Sequence, residues 1–254
     1  AINQHPAKRI VTDYVQLSRP PLREAVISLQ LSEELAEGLI LNFKDKKLGD
    51  YEGVRPTRRG QFRFQVGAET PAQASITRDE VDGWRYDSKD GSRVVQLRRT
   101  GMAYSVLRGY TNWADFKTSA FDVWRRFCEQ AGSVTVGRLA VRYINVLQIP
   151  MGADFDEYLA AGPRIPAGVP QLLNGFFHRV EIPFADADAV AIVTQVLEPP
   201  NQVNLPVVLD IDVQSPRQYE GHSPEIWTHL DKLREVKNLI FFSSLTKRAL
   251  ELCR

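Results

Sequence analysis

Two short segments carry side chains whose types and spacing could do chemistry. In Gly137-Arg138-Leu139-Ala140-Val141-Arg142-Tyr143-Ile144-Asn145-Val146, strand alternation puts Arg138, Ala140, Arg142 and Ile144 on one face and Leu139, Val141, Tyr143 and Asn145 on the other. Arginines in the middle of a sheet need partners, so this face either pairs with acidic side chains of a neighbouring strand or offers itself to an anion. Asn145, set among apolar neighbours, is expected to be buried and hydrogen-bonded to backbone. In Leu209-Asp210-Ile211-Asp212-Val213 the carboxylates share a face, about 7 Å apart, a spacing that suits a divalent metal, acid–base work or pairing with the arginine face.

A third cluster is purely basic. Arg55, Arg58, Arg59 and Arg63 fall within nine residues without an acidic neighbour, and Arg93, Arg98, Arg99 and Arg108 follow soon after. Together they could form a surface that attracts phosphate. The candidate anion-binding set is therefore Arg63, Arg98, Arg138 and Arg142, with Asp210 and Asp212 as an acidic counterpart. Phe62, Phe64, Trp84, Tyr104 and Tyr110 are near enough in sequence to stack on bases, although core positions account for them equally well.

Several familiar chemistries lack their residues. There is no Gly-x-Ser-x-Gly elbow, Walker loop or Gly-x-Gly-x-x-Gly fingerprint. His5, His178, His222 and His229 are not spaced as metal ligands, so no resident metal or other cofactor is expected. Mg²⁺ enters only under an alternative reading, in which Asp210 and Asp212 serve an enzyme acting on a phosphate compound; that reading lacks the Glu-x-Glu-x-Lys signature of tunnel-like antiparallel sheets.

The net charge of +1 conceals an asymmetry. Residues 1–150 carry 23 basic and 17 acidic side chains, a balance of +6, whereas residues 151–254 carry 9 and 14, a balance of −5. Of the 32 basic residues 23 are arginine, whose rigid fork fits carboxylate or phosphate better than the point charge of lysine. With 43% hydrophobic and 25% charged residues among 254, the composition is that of a globular protein. No apolar run approaches the ~20 residues a membrane span needs, and the opening AINQHPAKRI has no secretory pattern. A cytoplasmic protein is expected, with Cys128 and Cys253 as small buried hydrophobes in a reducing compartment.

The elements that must position these residues are marked by periodicity and punctuation. Leu22 to Leu31 reads as a strand followed by a helix from Ser32 to about Phe43, with Ser32 as the cap. Phe62 to Val66 alternates as a half-buried strand. Trp84–Ser88, Ser92–Arg99 and Met102–Arg108 form a meander punctuated by Asp90-Gly91 and Thr100-Gly101. A helix over 112–131 is predicted by Trp113, Phe116, Ala120, Val123, Phe127 and Ala131 on one stripe, with Asn112 and Asp115 as a capping box and Gly132 past the end. Beyond the strand 134–149 come a short helix from Asp154, strands near 176–182, 189–197 and 207–213, and closing helices from Ser223-Pro224 and about Ser244.

The pattern predicts an α+β protein of predominantly antiparallel sheet with helices after each strand group. Its organisation is either two similar meander-plus-helix halves, 1–150 basic and 151–254 acidic, or one continuous domain. The segment AGPRIPAGVP at 161–170 marks a loop between them.

Pro20-Pro21-Leu22-Arg23-Glu24-Ala25-Val26, Leu107-Arg108-Gly109-Tyr110-Thr111-Asn112-Trp113, the Arg-Tyr-Ile-Asn core of 138–145, Leu209-Asp210-Ile211-Asp212 and Phe241 to Thr246 resemble, in order, a sporadically distributed family of bacterial and archaeal proteins of about this length. The resemblance implies no catalytic residues. Patchy occurrence of that kind goes with mobile or defence-associated genes and favours partner binding. The function expected from the residues is a binding or regulatory protein whose Arg-rich sheet face meets a nucleotide, a nucleic acid or an acidic protein surface, with the metal-dependent enzyme acting on a phosphate compound as the alternative. A third expectation is an assembly protein that pairs with a copy of itself or with another partner.

Overall fold

Ten strands and four helices account for most of the chain in the computed structural model, which describes residues 14, 17–44, 48, 51–67 and 70–254; the side chains of residues 60–79 lie outside the described set. In chain order the elements are β1 (Leu22–Leu31), α1 (Glu37–Leu41), β2 (Tyr51–Gly67), β3 (Thr70–Ser88), β4 (Arg93–Arg98), β5 (Gly101–Val106), α2 (Trp113–Ala131), β6 (Thr135–Pro150), β7 (Phe177–Phe184), β8 (Ala189–Leu197), β9 (Asn204–Ser215), β10 (Tyr219–Glu220), α3 (Glu225–Ser244) and α4 (Lys247–Glu251). The class is α+β with antiparallel sheet, as the pattern of strand runs and helices predicts.

The chain groups into two units that interleave along the sequence. One comprises residues 24–141 and 214–230, the other 1–23, 142–213 and 231–254, so β6 passes from the first to the second between Val141 and Arg142. In the first unit, called here the meander unit, the strand order is β2-β3-β4-β5-β1 and then the opening half of β6, with β10 pairing β6 through Tyr219↔Val136. In the second, the closing half of β6 is followed by β9, β8 and β7.

The core of the meander unit follows from alternation. Ala25, Ile27 and Leu29 of β1, Val95 and Leu97 of β4, and Met102 and Tyr104 of β5 are buried on the face that α2 covers. Helix α2 begins where Asn112 Oδ1 accepts the Asp115 N–H at 2.9 Å and stops at Gly132, whose φ of 77° favours glycine. Its buried side is wider than the predicted stripe, because Trp124 and Cys128 join Phe116, Ala120, Val123 and Phe127. Trp124 reaches the core because its indole N–H donates to the Gly221 carbonyl at 2.7 Å, which satisfies a buried polar group. In β3, Trp84 Nε1 donates to the Ile40 carbonyl and the Tyr86 hydroxyl to the Phe43 carbonyl, fixing α1 on the same side.

The other unit has its own buried set. Leu147 and Ile149 of β6, Leu209, Ile211 and Val213 of β9, and Ala191 and Val193 of β8 are buried, as are Leu233, Val236, Ile240 and Phe241 of α3. Asn145 is 4% exposed and donates from Nδ2 to the carbonyls of Tyr143 and Leu209, the backbone role expected of it.

Some expectations need correction. Ser32 does not cap a helix: its N–H donates to the Thr135 carbonyl and the Leu35 N–H to the Arg99 carbonyl, so tertiary pairing keeps 32–35 out of the helix and α1 begins only after Ala36. The strand expected at 62–66 is the tip of a long hairpin, β2 with β3, whose second arm runs through TPAQASITRDE, a segment with little apolar alternation to announce it; its expected half-burial lies outside the described residues. The helix from Asp154 is a single 3-10 turn over Phe155–Glu157, capped by the Asp154 side chain. The last helix begins at Lys247, capped by Thr246, rather than at about Ser244. His5 falls outside the described residues.

Candidate functional site

The arginine and aspartate faces meet at one point. In the unit that holds both, Arg142 Nε donates to Asp210 Oδ1 at 2.9 Å and Nη2 to Oδ2 at 2.5 Å, a fork-to-fork pair between β6 and β9. Both oxygens of Asp210 are thereby engaged, and a metal on them would have to displace a guanidinium. Asp212 is half-buried and engaged in its own interactions. No group of three or more His, Cys, Asp or Glu side chains able to hold a metal occurs among the described residues. On the opposite face of β6, Lys237 of α3 sets its ammonium 4.0 Å from the centre of the Tyr143 ring and donates to Asn238 Oδ1. Burial, helped by the nearby Arg234, pushes the Lys237 pKa down to about 7.

Arg138 and Arg98 belong to the meander unit. Register places Arg98 opposite Gly101 and Gly101 opposite Gln30, so Arg98 and Gln30 share a sheet face. Arg138 Nη1 donates to Gln30 Oε1 at 3.2 Å, and Arg98 donates to Gln96 Oε1 on its own strand. Gly101 is required there: its φ is 129° and a Cβ would stand 2.1 Å from the Leu29 carbonyl oxygen. Farther along the face, Arg85 lies opposite Gln96, and Arg55 lies opposite Arg85. Both hold Asp87, through Arg55 Nη2 at 2.6 Å and Arg85 Nε and Nη2 at 3.0 and 2.8 Å. These bonds hold the Asp87 carboxyl below its ordinary pKa, Arg85 contributing most. Arg63 sits in β2 opposite Ser75, and its side chain lies outside the described residues.

Most arginines of the sequence cluster are thus committed to the fold. Arg59 bridges Glu34 and Asp82, Arg99 donates to the Leu35 carbonyl, and Arg108 donates to the Asp90 carbonyl. Asp90 itself closes the β3–β4 turn by accepting from Ser92 N–H and from the Ser88 and Ser92 hydroxyls, which hold its pKa well below the usual range.

Two guanidiniums differ. Arg93 and Arg126 line a cavity of about 210 Å³ under α2, together with Leu48, Tyr51, Ser88, Tyr104, Ser119, Asp122 and Val123. Tyr104, Leu48 and Val123 are buried and form its apolar floor, while Arg93, Arg126 and Asp122 are exposed. Neither guanidinium has a hydrogen-bond or ion-pair partner among the described residues. Sequence reasoning placed Arg93 in the basic cluster and Tyr104 among the aromatics but passed over Arg126 and the concavity they share, although signals for it exist. Arg93 shares a face of β4 with Val95 and Leu97, the helix-covered side, which is an unusual place for a charge. Ser119, Asp122 and Arg126 follow one another at spacings of three and four on α2, beside the buried stripe.

Comparison of this chain with protein-family models, with curated proteins and with solved structures gave no match.

Proposed function

We propose that this is a binding or regulatory protein for an anionic partner and that its seat is the cavity under α2. The observation that carries the reading is the pair of uncommitted guanidiniums, Arg93 and Arg126, on one concavity, while Arg55, Arg85, Arg98, Arg138 and Arg142 are each held by a neighbouring carboxylate or amide. A guanidinium fork without an internal partner is ready to bind phosphate or carboxylate in the bidentate manner. The volume of about 210 Å³ lies below the ~300 Å³ at which drug-sized pockets begin. It suits a small anion, or the phosphate end of a nucleotide whose remainder stays outside against Tyr51 and the rim. The sheet face of Arg98, Arg138, Gln30 and Gln96 contributes a positive field rather than the seat.

Calorimetry of the full chain with inorganic phosphate, with ATP and with a short RNA, each over a salt series, tests this. Binding is expected to weaken with salt and to fall about tenfold or more in Arg93→Gln and in Arg126→Gln, a charge-assisted bond being lost each time. Arg98→Gln is expected to change it less than threefold or so, as a rim charge does. Absence of binding to all three probes, or binding indifferent to both cavity substitutions, overturns the assignment.

A further inference from the structure

The geometry points to a second copy of this chain as the partner of β7, joined strand to strand about a two-fold axis through Val180. This goes beyond the anion site, which lies in the other unit. Strand β7 ends the strand order, and every residue from Phe177 to Pro183 is exposed. Such an edge carries unpaired backbone groups and is a template for another strand.

Three properties of β7 select the occupant. The first is the phase of its backbone. Leu197 N–H donates to the Phe176 carbonyl, and the ladder then runs from Phe177↔Val196 to Phe184↔Ala189. Antiparallel strands alternate between residues whose backbone groups face the neighbour and residues whose groups face away. His178, Val180 and Ile182 therefore turn theirs to β8, while Phe177, Arg179 and Glu181 present N–H and C=O to the open edge, and Pro183 presents C=O alone.

The second is charge. Only a register in which the outward residues face one another can form bonds, and a two-fold through Val180 is such a register. It sets Arg179 opposite Glu181 of the second copy, and Glu181 opposite its Arg179. Opposite charges directly across a ladder are favourable, whereas two-folds through Arg179 or through Glu181 would oppose like charges. Within one chain Arg179 Nη2 already reaches Glu181 Oε1 at 2.7 Å, so the same pair can be exchanged across the axis without leaving a charge alone.

The third is apolar surface. Val180 is 36% and Ile182 37% exposed on the face whose β8 neighbours, Val193 and Ala191, are buried, and Phe177 is 69% exposed on the other. In the proposed register Val180 packs on its own copy, Ile182 on His178, and Phe177 on Pro183. The Phe177 N–H meets the Pro183 carbonyl, so the missing proline N–H lies at the rim, where it costs least. The surface is self-complementary, as a two-fold interface must be.

Sedimentation velocity of the full chain, from low to high micromolar, tests the pairing by charge reversal. The wild type is expected to show a monomer–dimer equilibrium. Arg179→Glu alone and Glu181→Arg alone each oppose like charges at both ends of the axis and should weaken the dimer about tenfold or more. The combined variant R179E/E181R restores opposite charges and should return to within about threefold of wild type. An equimolar mixture of the two single variants is expected to form heterodimers, since each then meets its complement. These positions are exposed, and circular dichroism confirms that each variant folds. A chain that stays monomeric at every concentration overturns the inference, as does a dimer that both single reversals leave unchanged.

Discussion

Arg142 and Asp210 meet as two forks, with both carboxylate oxygens accepting from one guanidinium. The pair accounts for part of the balance hidden in the net charge: an arginine from the basic stretch of sequence is neutralised by an aspartate from the acidic stretch. For Arg142 it realises one of the two alternatives that strand alternation leaves open, an acidic partner on a neighbouring strand rather than an anion. A partner 68 positions away in the sequence claims it.

The pair is open to water on the arginine side, with the Arg142 side chain 45% exposed and that of Asp210 17%. Screening keeps such interactions small, so a double-mutant cycle of Arg142→Ala and Asp210→Ala is expected to give a coupling of about 0.5–1 kcal/mol in urea unfolding. Asp210→Ala alone should cost about 1 kcal/mol and leave anion binding intact. A coupling indistinguishable from zero would mean that solvent screens the pair completely.

Trp124 supports the fold in a different way, because its N–H is buried with the Gly221 carbonyl as acceptor. Trp124→Phe keeps an aromatic ring beside Phe127 and removes the donor, leaving that carbonyl only the weak Cys128 thiol at 3.9 Å. Thermal unfolding should show a loss of about 1–3 kcal/mol. A smaller effect would mean that a water molecule replaces the indole.

Lys237 makes stability depend on pH in an unusual direction. Its folded pKa, about 7, lies below its ordinary value of 10.5, so between those limits the unfolded chain binds more protons than the folded one. Stability therefore rises with pH across that window, and the penalty for charging the buried amine is fully present below pH 7. Discounted for partial solvation, the gain from pH 7 to 10 is on the order of 2 kcal/mol. Denaturant melts of Lys237→Met should lack this rising limb; an identical limb in the variant would assign it to another group.

How much of this was readable beforehand depended on whether a residue's partner is local. Helix α2 was legible because its cap, its stripe and its terminal glycine all lie within one segment, and the meander was legible because Gly91 and Gly101 announce its turns. The burial of Asn145 followed from its apolar neighbours on β6. By contrast, Ser32 has the chemistry of a cap but is used by Thr135, and the strand at 70–81 is held by its pairing with β2 rather than by its own pattern. The arginine faces show the same dependence: Arg138 and Arg142 are engaged by Gln30 and Asp210, whose proximity only the fold creates, whereas Arg98 finds Gln96 two positions away on its own strand. Arg93 and Arg126 are 33 positions apart, and nothing in either segment says that they share a cavity.

Both thiols should be inert in the native protein. Cys128 and Cys253 are free and buried, and burial pushes the Cys128 pKa up to about 12 and raises that of Cys253. The reactive species is the thiolate, which neither forms near neutral pH. Ellman's reagent at pH 8 is expected to label neither cysteine until denaturant is added, and both afterwards. Rapid labelling of the folded chain would show that α2 or α4 opens locally.

Asp122 gives the cavity its sharpest test, because it is the one carboxylate among the described lining residues and stands on the same helix side as Arg126. An anion seated between Arg93 and Arg126 feels it as repulsion across a partly aqueous space, which near a protein surface amounts to about 0.5–1 kcal/mol. Asp122→Asn should therefore tighten phosphate binding about two- to fivefold, while Ser119→Glu, which adds a second negative charge to the same wall, should weaken it by a similar factor. Opposite signs from two substitutions one helical turn apart are what an electrostatic seat requires. If both weaken binding, Asp122 is contributing a hydrogen bond to a donor on the ligand, and the ligand is one that carries a hydroxyl or amine beside its anionic group.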